Sequence, residues 1–330
     1  MTGCVLVTGA TGFVGAATVA RLLAGGMPVR AAVRKHLDFR PWPDKVEVGD
    51  IGPLTDWTEA LRGTTAVVHC AARVHQLRDD AGDPLSAFRT VNRDGTARLA
   101  RAAAAAGVRR FVFISSIGVN GAETTGTPFR ASDTPAPHSP YAVSKHEAEL
   151  ELRVIAAETA MEVVVVRPPL VYGPEAPGNF AALLRAVDRG WPLPFGAVHN
   201  RRALIAIDNL VDFIATTLAW QGPLQATFLV SDGDDVSTTG LLRRTASALG
   251  CPARLLPIPA GWIRAMSALL GKPELGQRLC GSLEVDIGPT CLALGWRPPV
   301  SLDEALVRTA QHFRQTATKT APRRGDNRAR

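Results

Sequence analysis

Short apolar runs alternate with amphipathic stretches through the first 170 residues of the chain. Runs rich in β-branched residues predict strands at 4–8, 29–33, 46–48, 66–70, 110–115 and 162–167. Apolar positions at helical spacing predict helices at 13–24, 56–61, 85–106 and 140–157. Continuous runs such as Val163 to Val166 suit parallel strands that are buried on both faces. The alternation therefore predicts an α/β fold, a doubly wound parallel sheet.

The texture of the chain changes after Pro168, where prolines and glycines become frequent. The pattern predicts strands at 203–207 and 227–230 and helices at 179–188, 208–220, 237–249 and 301–314. We expect a first domain over 1–170, a smaller and mostly helical substrate lobe over 171–317 that is interleaved with it, and a basic disordered tail over 318–330. The amphipathic segment 262–270 is expected to pack within the small lobe; contact with a membrane or a lipid-linked substrate is the alternative.

Composition agrees with a folded globular protein, because 46% of the 330 residues are hydrophobic, 20% are charged and the mean hydropathy is +0.07. These values exclude disordered, collagen-like and coiled-coil chains. No stretch reaches 18 uncharged apolar residues, and Met1 leads almost directly into a strand, so we expect a cytoplasmic protein without a spanning helix or signal peptide. The five scattered cysteines predict a reducing compartment rather than a disulfide framework or a zinc site.

The net charge of +7 is concentrated at the end of the chain, since the last 12 residues hold five basic and one acidic residue. Arginine outnumbers lysine 32 to 5, which indicates a bias of genome composition. We therefore expect a solvated basic tail and no nucleic-acid partner. The rest of the chain is mildly basic, which suits an enzyme whose substrate carries phosphate groups.

A glycine-rich turn follows the first predicted strand and opens the first predicted helix. Its sequence is GATGFVG, from Gly9 to Gly15. Gly9 permits a tight turn, Gly12 allows a pyrophosphate to approach the backbone, and Gly15 allows the helix to pack closely on the strand. The spacing is GxxGxxG rather than the commoner GxGxxG, but its place between strand and helix predicts a dinucleotide site.

The end of the second strand bears on which dinucleotide is bound. NAD-specific sites usually carry an acidic residue there, whereas this chain has Arg34 and Lys35. These cations could hold a 2′-phosphate, so we favour NADPH, with NAD as the alternative. Asp50, after the third strand, is placed to bind the adenine amino group.

Tyr141 and Lys145 are four residues apart on one predicted helix face. A tyrosine with a nearby ammonium and an oxidised nicotinamide can exchange a proton with an alcohol or carbonyl oxygen while hydride moves. Ser116, at the end of the fifth strand, could bind the same oxygen. The sequence therefore predicts a hydride-transferring enzyme with Ser116, Tyr141 and Lys145 as catalytic residues.

Together these motifs resemble the extended short-chain dehydrogenases/reductases of the NAD-dependent epimerase/dehydratase family, over nearly the whole length of the chain. The likeness includes the segments HCAA at 69–72, NRDGT at 92–96 and RPPLVYG at 167–173. It implies a Rossmann-type fold, a homodimer, a role in nucleotide-sugar metabolism and polysaccharide biosynthesis, and a UDP-sugar substrate bound by Asn179 and Arg202. The cofactor-binding residues that motif and resemblance give together are Gly9, Thr11, Gly12, Phe13, Val14, Gly15, Arg34, Asp50, Ile51, Ala71, Ala72, Arg73, Asn92, Ser115, Tyr141, Lys145, Pro168 and Val171.

Positions at which this chain differs from the family pattern indicate which of the family's activities to expect. Ile117 and Gly118 follow the catalytic serine where dehydratases have an acid pair, which disfavours dehydration. Leu170 replaces an asparagine that many epimerases have. Segments 69–75 and 278–286 are most similar to reductases that form UDP-N-acetylquinovosamine. We therefore expect reduction of the C4 ketone of a UDP-4-keto-6-deoxy-N-acetylhexosamine. A 4-epimerase of UDP-glucose or UDP-GlcNAc is the alternative, ahead of a hydroxysteroid- or flavonoid-type reductase and a non-catalytic NADP sensor.

The remaining polar residues suggest no further chemistry. His69, His75, His138 and His199 show no metal-binding spacing, so no metal is expected. His69 ends a strand and is expected to be a packed residue rather than a base. Asp79, Asp80 and Asp83 predict a solvated loop, with closure over a substrate as the alternative.

Overall fold

A parallel β-sheet organises the chain in the computed structural model, which describes residues 3–35, 41–74 and 83–320 apart from the side chains of Asn179 and of 317–320. In these ranges the main sheet has seven strands in the order β3-β2-β1-β4-β5-β6-β9, and β7 pairs with β8. All neighbours in the main sheet are parallel. The strands are β1 (Cys4–Thr8), β2 (Val29–Val33), β3 (Asp44–Glu47), β4 (Thr64–His69), β5 (Arg110–Ile114), β6 (Glu162–Arg167), β7 (Leu170–Tyr172), β8 (Leu204–Ala206) and β9 (Ala226–Leu229).

Helices connect the strands and build the remainder of the described chain. They are α1 (Phe13–Ala24), α2 (Thr58–Leu61), α3 (Pro84–Phe88), α4 (Gly95–Ala105), α5 (Pro140–Glu158), α6 (Asn179–Asp188), α7 (Ile207–Ala219), α8 (Thr238–Ala248), α9 (Ala260–Leu269), α10 (Pro273–Cys280), α11 (Gly288–Leu294) and α12 (Leu302–Thr320). A π-helical turn, Arg89–Asp94, lies between α3 and α4, and a 3₁₀ turn, Ile117–Val119, follows β5. The predicted Rossmann-type doubly wound sheet is thereby confirmed.

The strands alternate their side chains between two apolar cores. In β6, Val164 and Val166 belong to one core and Val163 and Val165 to the other. Both faces of this strand are buried, which is why its sequence is a continuous run of valines rather than an alternation.

The single long helix predicted over 85–106 is instead divided into α3, the π turn and α4. Gly95 opens α4 where the chain passes close to a neighbouring loop, because a Cβ there would lie 2.8 Å from Cγ2 of Ile51. The wider π turn holds the buried Asn92. Helical periodicity in the sequence cannot show such an interruption, since both helices keep the same spacing.

Two compact units are built from alternating parts of the chain. The sheet unit comprises the described residues of Met1–Val171, Arg201–Asp235 and Gly281–Pro299. The helical unit comprises Tyr172–Asn200, Val236–Cys280 and the described residues of Val300–Arg330. Helix α12 runs on to Thr320, beyond the predicted end at 314, while residues 321–330 of the expected tail lie outside the described residues.

The structure bears on two of the expected absences. Among the described residues, no helix is long and apolar enough to cross a bilayer, and no group of three or more His, Cys, Asp or Glu side chains could hold a metal ion. All five cysteines are described, and each is a free thiol.

Candidate active site

The glycine turn between β1 and α1 leaves no room for larger residues. Gly9 has φ of 63°, and a Cβ on it would lie 2.8 Å from the backbone of Ala71. A Cβ on Gly15 would overlap the carbonyl oxygen of Gly9. Gly12 donates its N–H to that oxygen at 2.9 Å and caps α1 without a side-chain bond. The turn thus presents the backbone and N-terminus of α1, with Thr11, Phe13 and Val14, in the form that receives a pyrophosphate.

A chain of hydrogen bonds fixes the segment that follows β4. The Thr96 hydroxyl donates to the Asn92 carbonyl at 2.6 Å, so its oxygen accepts from Nε2 of His69 at 3.0 Å. Nδ1 of His69 therefore accepts from the Thr8 hydroxyl at 2.6 Å. The Thr8 oxygen accepts the N–H of Ala71 at 3.3 Å, which ties the predicted cofactor loop to the imidazole.

His69 is a buried, neutral member of this chain rather than a base. Its ring is 1% exposed and stacks on Phe113 with centroids 5.9 Å apart. Burial, and secondarily the charge of Lys145, lowers its pKa from 6.5 to about 3. The expectation of a packed histidine is confirmed. His75, Asp79 and Asp80 lie outside the described residues, while Asp83 caps α3 by accepting the N–H of Ser86 at 3.2 Å.

Asn92 joins two predicted parts of the site. Its Oδ1 accepts the N–H of Arg73 at 2.8 Å, and its Nδ2 donates to the Arg73 carbonyl at 3.1 Å. The same Nδ2 donates to the Ser144 hydroxyl at 3.0 Å. Asn92 therefore links the loop of Ala71, Ala72 and Arg73 to the residue that precedes Lys145.

Arg34 and Asp50, predicted separately, form an ion pair at the ends of neighbouring strands. Nε of Arg34 lies 2.9 Å from Oδ1 of Asp50, and the two side chains are 76% and 87% exposed. Ile51 is partly buried against one of the apolar cores. Because the guanidinium of Arg34 already faces a carboxylate, it offers a 2′-phosphate less positive charge than the sequence suggested.

The three predicted catalytic residues lie just after β5 and in the first turns of α5. Ser116 follows β5, caps the 3₁₀ turn and accepts the N–H of Gly118 at 3.1 Å. Helix α5 begins with Pro140 behind the Ser139 cap, which places Tyr141 and Lys145 in its first two turns. Lys145 is fully buried, and its Nζ donates to the Ile114 carbonyl at 2.8 Å. Strand β5 thus positions both Ser116 and the ammonium of Lys145.

Burial shifts the two titratable groups of the triad in opposite directions. It lowers the pKa of Lys145 from 10.5 to about 8, although negative groups nearby partly offset it. It raises the pKa of Tyr141 to about 12, so the phenol is protonated at neutral pH. Desolvation is the cause of this raised pKa. The predicted proton exchange, which an ammonium and an oxidised nicotinamide together support, stays a prediction.

A buried ion pair supports the site, and the sequence analysis did not assign it a role. Arg167 and Glu149 are 1% and 0% exposed, with Nη2 and Oε2 2.5 Å apart. Glu149 also accepts the Ser115 hydroxyl at 2.5 Å, and Arg167 donates to Oδ1 of Asn120 at 2.9 Å. Two features of the sequence could have indicated this pair. They are an arginine directly after a run of four valines and a glutamate one helical turn beyond Lys145.

The remaining predicted site residues lie in several other elements of the chain. The Pro168 carbonyl accepts the N–H of Ile117 at 2.9 Å, and Val171 lies in β7. Arg202 donates to the Gly281 carbonyl at 3.3 Å and pairs with Leu283 in a β-bridge. Asn179 begins α6 in the helical unit, and its side chain lies outside the described residues. The binding and catalytic roles of all these residues remain predictions.

Comparison with known proteins places this arrangement in a family. A family model described as "NAD dependent epimerase/dehydratase family" matches residues 5–229. The chain is 46% identical to a UDP-glucose 4-epimerase of Vibrio cholerae, over 94% of this chain and 95% of the relative. Among solved structures, it resembles the UDP-glucose 4-epimerase of Thermus thermophilus in complex with NAD, at 27% identity and a TM-score of 0.75 over 94% of this chain and 99% of that one.

A second solved structure, MoeE5 in complex with UDP-glucuronic acid and NAD, is 26% identical with a TM-score of 0.77, over 95% of this chain and all of that one. These relatives favour the epimerase alternative over the 4-ketoreductase that the sequence analysis preferred, and they support NAD(P) binding without supporting a preference for NADPH. The glycine turn, the paired Tyr141 and Lys145 and the parallel sheet agree with the match. The chain is an enzyme of the NAD-dependent epimerase/dehydratase family.

Proposed function

We propose that this protein is an NAD-dependent 4-epimerase of a UDP-hexose, with UDP-glucose and UDP-galactose as the first pair to test. The observation that carries the proposal is the 46% identity to the UDP-glucose 4-epimerase of Vibrio cholerae over nearly the full length of both chains. The strand ends of the sheet unit support it, because they carry Ser116 and bind the ammonium of the lysine paired with Tyr141.

The residues of the sheet unit fit a dinucleotide. At Gly9, Gly12 and Gly15 the turn packs too closely on its own backbone or on Ala71 to accept a Cβ freely, and its backbone N–H groups would hold the pyrophosphate. Asp50 and Arg34 would face the adenosine end, and Asn92 keeps the Ala71–Arg73 loop in place. The ion pair between Arg34 and Asp50 supports NAD over NADP, since it lowers the positive charge available to a 2′-phosphate.

In the proposed reaction the chain moves one proton at the O4 atom of the sugar. When bound, the dinucleotide accepts hydride from C4 and returns it. Tyr141 takes the O4 proton in the first half-reaction and returns it in the second, so proton and hydride balance over the cycle. The cofactor-free phenol, with its pKa of about 12, is already in the donating form. Proton uptake needs the phenolate, which positive charge one helical turn away at Lys145 stabilises. Ser116 orients O4.

The proposal is tested by incubating the purified protein with NAD and UDP-glucose, measuring UDP-galactose by NMR and absorbance at 340 nm. We expect interconversion of the two sugars without net change in NADH. A parallel incubation with NADPH or NADH and a UDP-4-keto-6-deoxy-N-acetylhexosamine tests the reductase. Stoichiometric loss of reduced cofactor there, with no interconversion of UDP-hexoses, would replace the epimerase proposal by the 4-ketoreductase.

The two tyrosines of the chain give a matched control for the proton transfer. Tyr141→Phe should reduce turnover by about 10²–10⁴-fold, the usual contribution of a positioned acid–base group. Tyr172→Phe removes the same hydroxyl from a buried residue of β7 and should leave most of the activity. Unchanged turnover in Tyr141→Phe, with NAD still bound, would contradict the assigned role.

We propose, as the family resemblance implies, that the protein acts in the cytoplasm as a homodimer. Leu150 and Val154, exposed one turn apart on α5, support an assembly through this helix. Sedimentation equilibrium of the wild-type chain and of Val154→Glu measures it. A monomeric wild type would contradict the dimer.

A further inference from the structure

The outer surface of α9 in the helical unit carries a stripe of exposed apolar side chains. Trp262, Met266 and Leu269 follow one another at a spacing of one helical turn and are 70%, 52% and 81% exposed. Leu270, which caps the helix, extends the stripe and is also exposed. The expectation that segment 262–270 packs within the lobe is therefore wrong for these side chains, and we call them the α9 stripe.

The packing of α9 against α10 fixes this orientation. Ser267 is the buried residue of α9, and a Cβ on Gly276 would overlap its Oγ. The same added Cβ would lie 3.1 Å from Cα of Arg264. A glycine is thus needed where the two helices touch, and this close contact holds α9 by the side that carries Ser267.

An apolar cavity adjoins the α9 stripe. It has a volume of about 620 Å³ and is lined by Trp262, Met266, Leu270 and Lys272, together with the prolines Pro257 and Pro259. Keeping such a surface in water costs free energy in proportion to its apolar area, so its burial against a partner is favourable. The cavity also has room for an apolar group, such as part of an acyl chain, beside the helix.

The segment that carries the apolar surface is basic, and Lys272 lines the adjoining cavity. Residues 251–280 contain four cations, Arg254, Arg264, Lys272 and Arg278, and one acidic residue, Glu274. Glu274 lies 3.7 Å from Arg278 within α10, so the segment carries a net charge of +3. Exposed Trp and Leu on a helix with cations nearby is the composition of helices that lie in the headgroup region of anionic bilayers.

We propose that the α9 stripe docks the protein on an anionic phospholipid surface. Trp262, Met266 and Leu269 would enter the boundary between headgroups and acyl chains, and Lys272 would face the anionic headgroups. This occupant matches both the apolar side chains and the charge. The proposal concerns the helical unit and does not depend on the reaction in the sheet unit.

Two other occupants match the charge less well. A two-fold contact with a second copy sets the same surface against itself, so +3 would face +3. The C-terminal segment of the chain is basic as well, with five cations and one acidic residue from Lys319 onwards, and it would be repelled. An anionic bilayer meets neither difficulty.

The proposal is tested with the full chain by co-sedimentation with vesicles of phosphatidylcholine, with and without phosphatidylglycerol. Leu269→Ser should weaken binding to anionic vesicles by about tenfold, the effect of withdrawing one leucine from an apolar phase. Lys272→Glu should weaken binding further at low salt than at high salt. Leu292→Ser is the matched control, because Leu292 is an equally exposed leucine of a helix in the sheet unit, at 88%. It should bind vesicles as the wild type does.

Several results would overturn the proposal. These are a wild-type chain that stays in solution with anionic vesicles, equal binding to vesicles with and without phosphatidylglycerol, and equal losses in Leu269→Ser and Leu292→Ser. If the wild type does not bind vesicles but self-associates, and Leu269→Ser abolishes that self-association, the α9 stripe contacts a second copy of the chain instead. Circular dichroism of each variant shows that it is folded. Epimerase turnover measured in solution should be unchanged in all three variants, whichever sugar is the substrate.

Discussion

Acidification should destabilise this protein through one buried side chain, His69. The imidazole accepts from Thr8 and donates to Thr96, and Thr96 donates onward to the Asn92 carbonyl. A second proton on the ring would turn Nδ1 into a donor that faces the hydroxyl of Thr8, which already donates to it. The folded protein therefore resists protonation, and the pKa of His69 falls from 6.5 to about 3.

The pH window follows from these two values. The unfolded chain binds the proton as the pH falls through 6.5, whereas the folded chain does not until about pH 3. Stability from neutral His69 is thus fully present above pH 6.5 and is lost progressively below it. Each pH unit inside the window costs at most about 1.4 kcal/mol, so the loss between pH 7.5 and pH 5 is about 2 kcal/mol.

The loss is measured by urea unfolding of the cofactor-free protein, followed through the far-ultraviolet circular dichroism at both pH values. The test variant is His69→Gln, which cannot take up the proton. It is less stable than the wild type at pH 7.5, but it should lose about 2 kcal/mol less on acidification. His199→Gln is the control, because it makes the same substitution at an exposed position outside the hydrogen-bond chain of His69.

The test compares the change in the free energy of unfolding between the two pH values, and not the stability at either pH. If His69→Gln loses as much free energy of unfolding between pH 7.5 and pH 5 as the wild type, the neutral hydrogen-bond chain is refuted. NMR of the imidazole nitrogens gives an independent check. His69 should remain neutral at pH 5, with its proton on Nε2.

Two further predictions concern the cofactor. Gly15→Ala should reduce NAD affinity at least about tenfold by calorimetry, because the new Cβ overlaps the Gly9 carbonyl and displaces the pyrophosphate turn, whereas Gly261→Ala, which meets no atom within 4 Å, should bind NAD normally. Equal affinities in the two variants would contradict the role of the turn. Asp50→Asn should raise the affinity for NADP relative to NAD by about two- to fivefold, since it frees the charge of Arg34 from an exposed pair. The gain should disappear in the double variant with Arg34→Ala, and its persistence there would show that Arg34 is not the cause.

The sequence predicted those elements well in which local pattern and tertiary packing agree. Strands β1, β2 and β6 and helices α1 and α6 have the predicted bounds, because glycines, prolines or polar residues end each apolar run. Helices α10 and α11 were not predicted. They have 8 and 7 residues, and α10 depends on the contact of Gly276 with Ser267, which no periodicity within so short a segment reveals.

The candidate site shows the same division. The glycine turn and the spacing of Tyr141 and Lys145 are local, and a sequence displays them directly. The hydrogen-bond chain through His69 joins residues 61 and 27 positions apart, and the pair of Glu149 and Arg167 joins helix α5 to strand β6. Such partners are set by the order of strands in the sheet. Arg34 and Asp50 were each predicted to bind cofactor, but their contact with each other changes what Arg34 can contribute.

That contact also bears on how strictly the cofactor is chosen. A 2′-phosphate would gain the guanidinium of Arg34 only by replacing Asp50, which exchanges one exposed ion pair for another. Exposed pairs contribute about 0–1 kcal/mol, so the exchange changes affinity by about fivefold at most. If Arg34 and Asp50 bind the adenosine end as predicted, we therefore expect this ion pair to discriminate only weakly between NAD and NADP. The proposed epimerase reaction needs one cofactor to stay bound through both half-reactions, so we expect its retention to depend on the other predicted binding residues. In that proposal these are the turn at Gly9–Gly15, the loop that Thr8 and Asn92 hold, and the buried ammonium of Lys145.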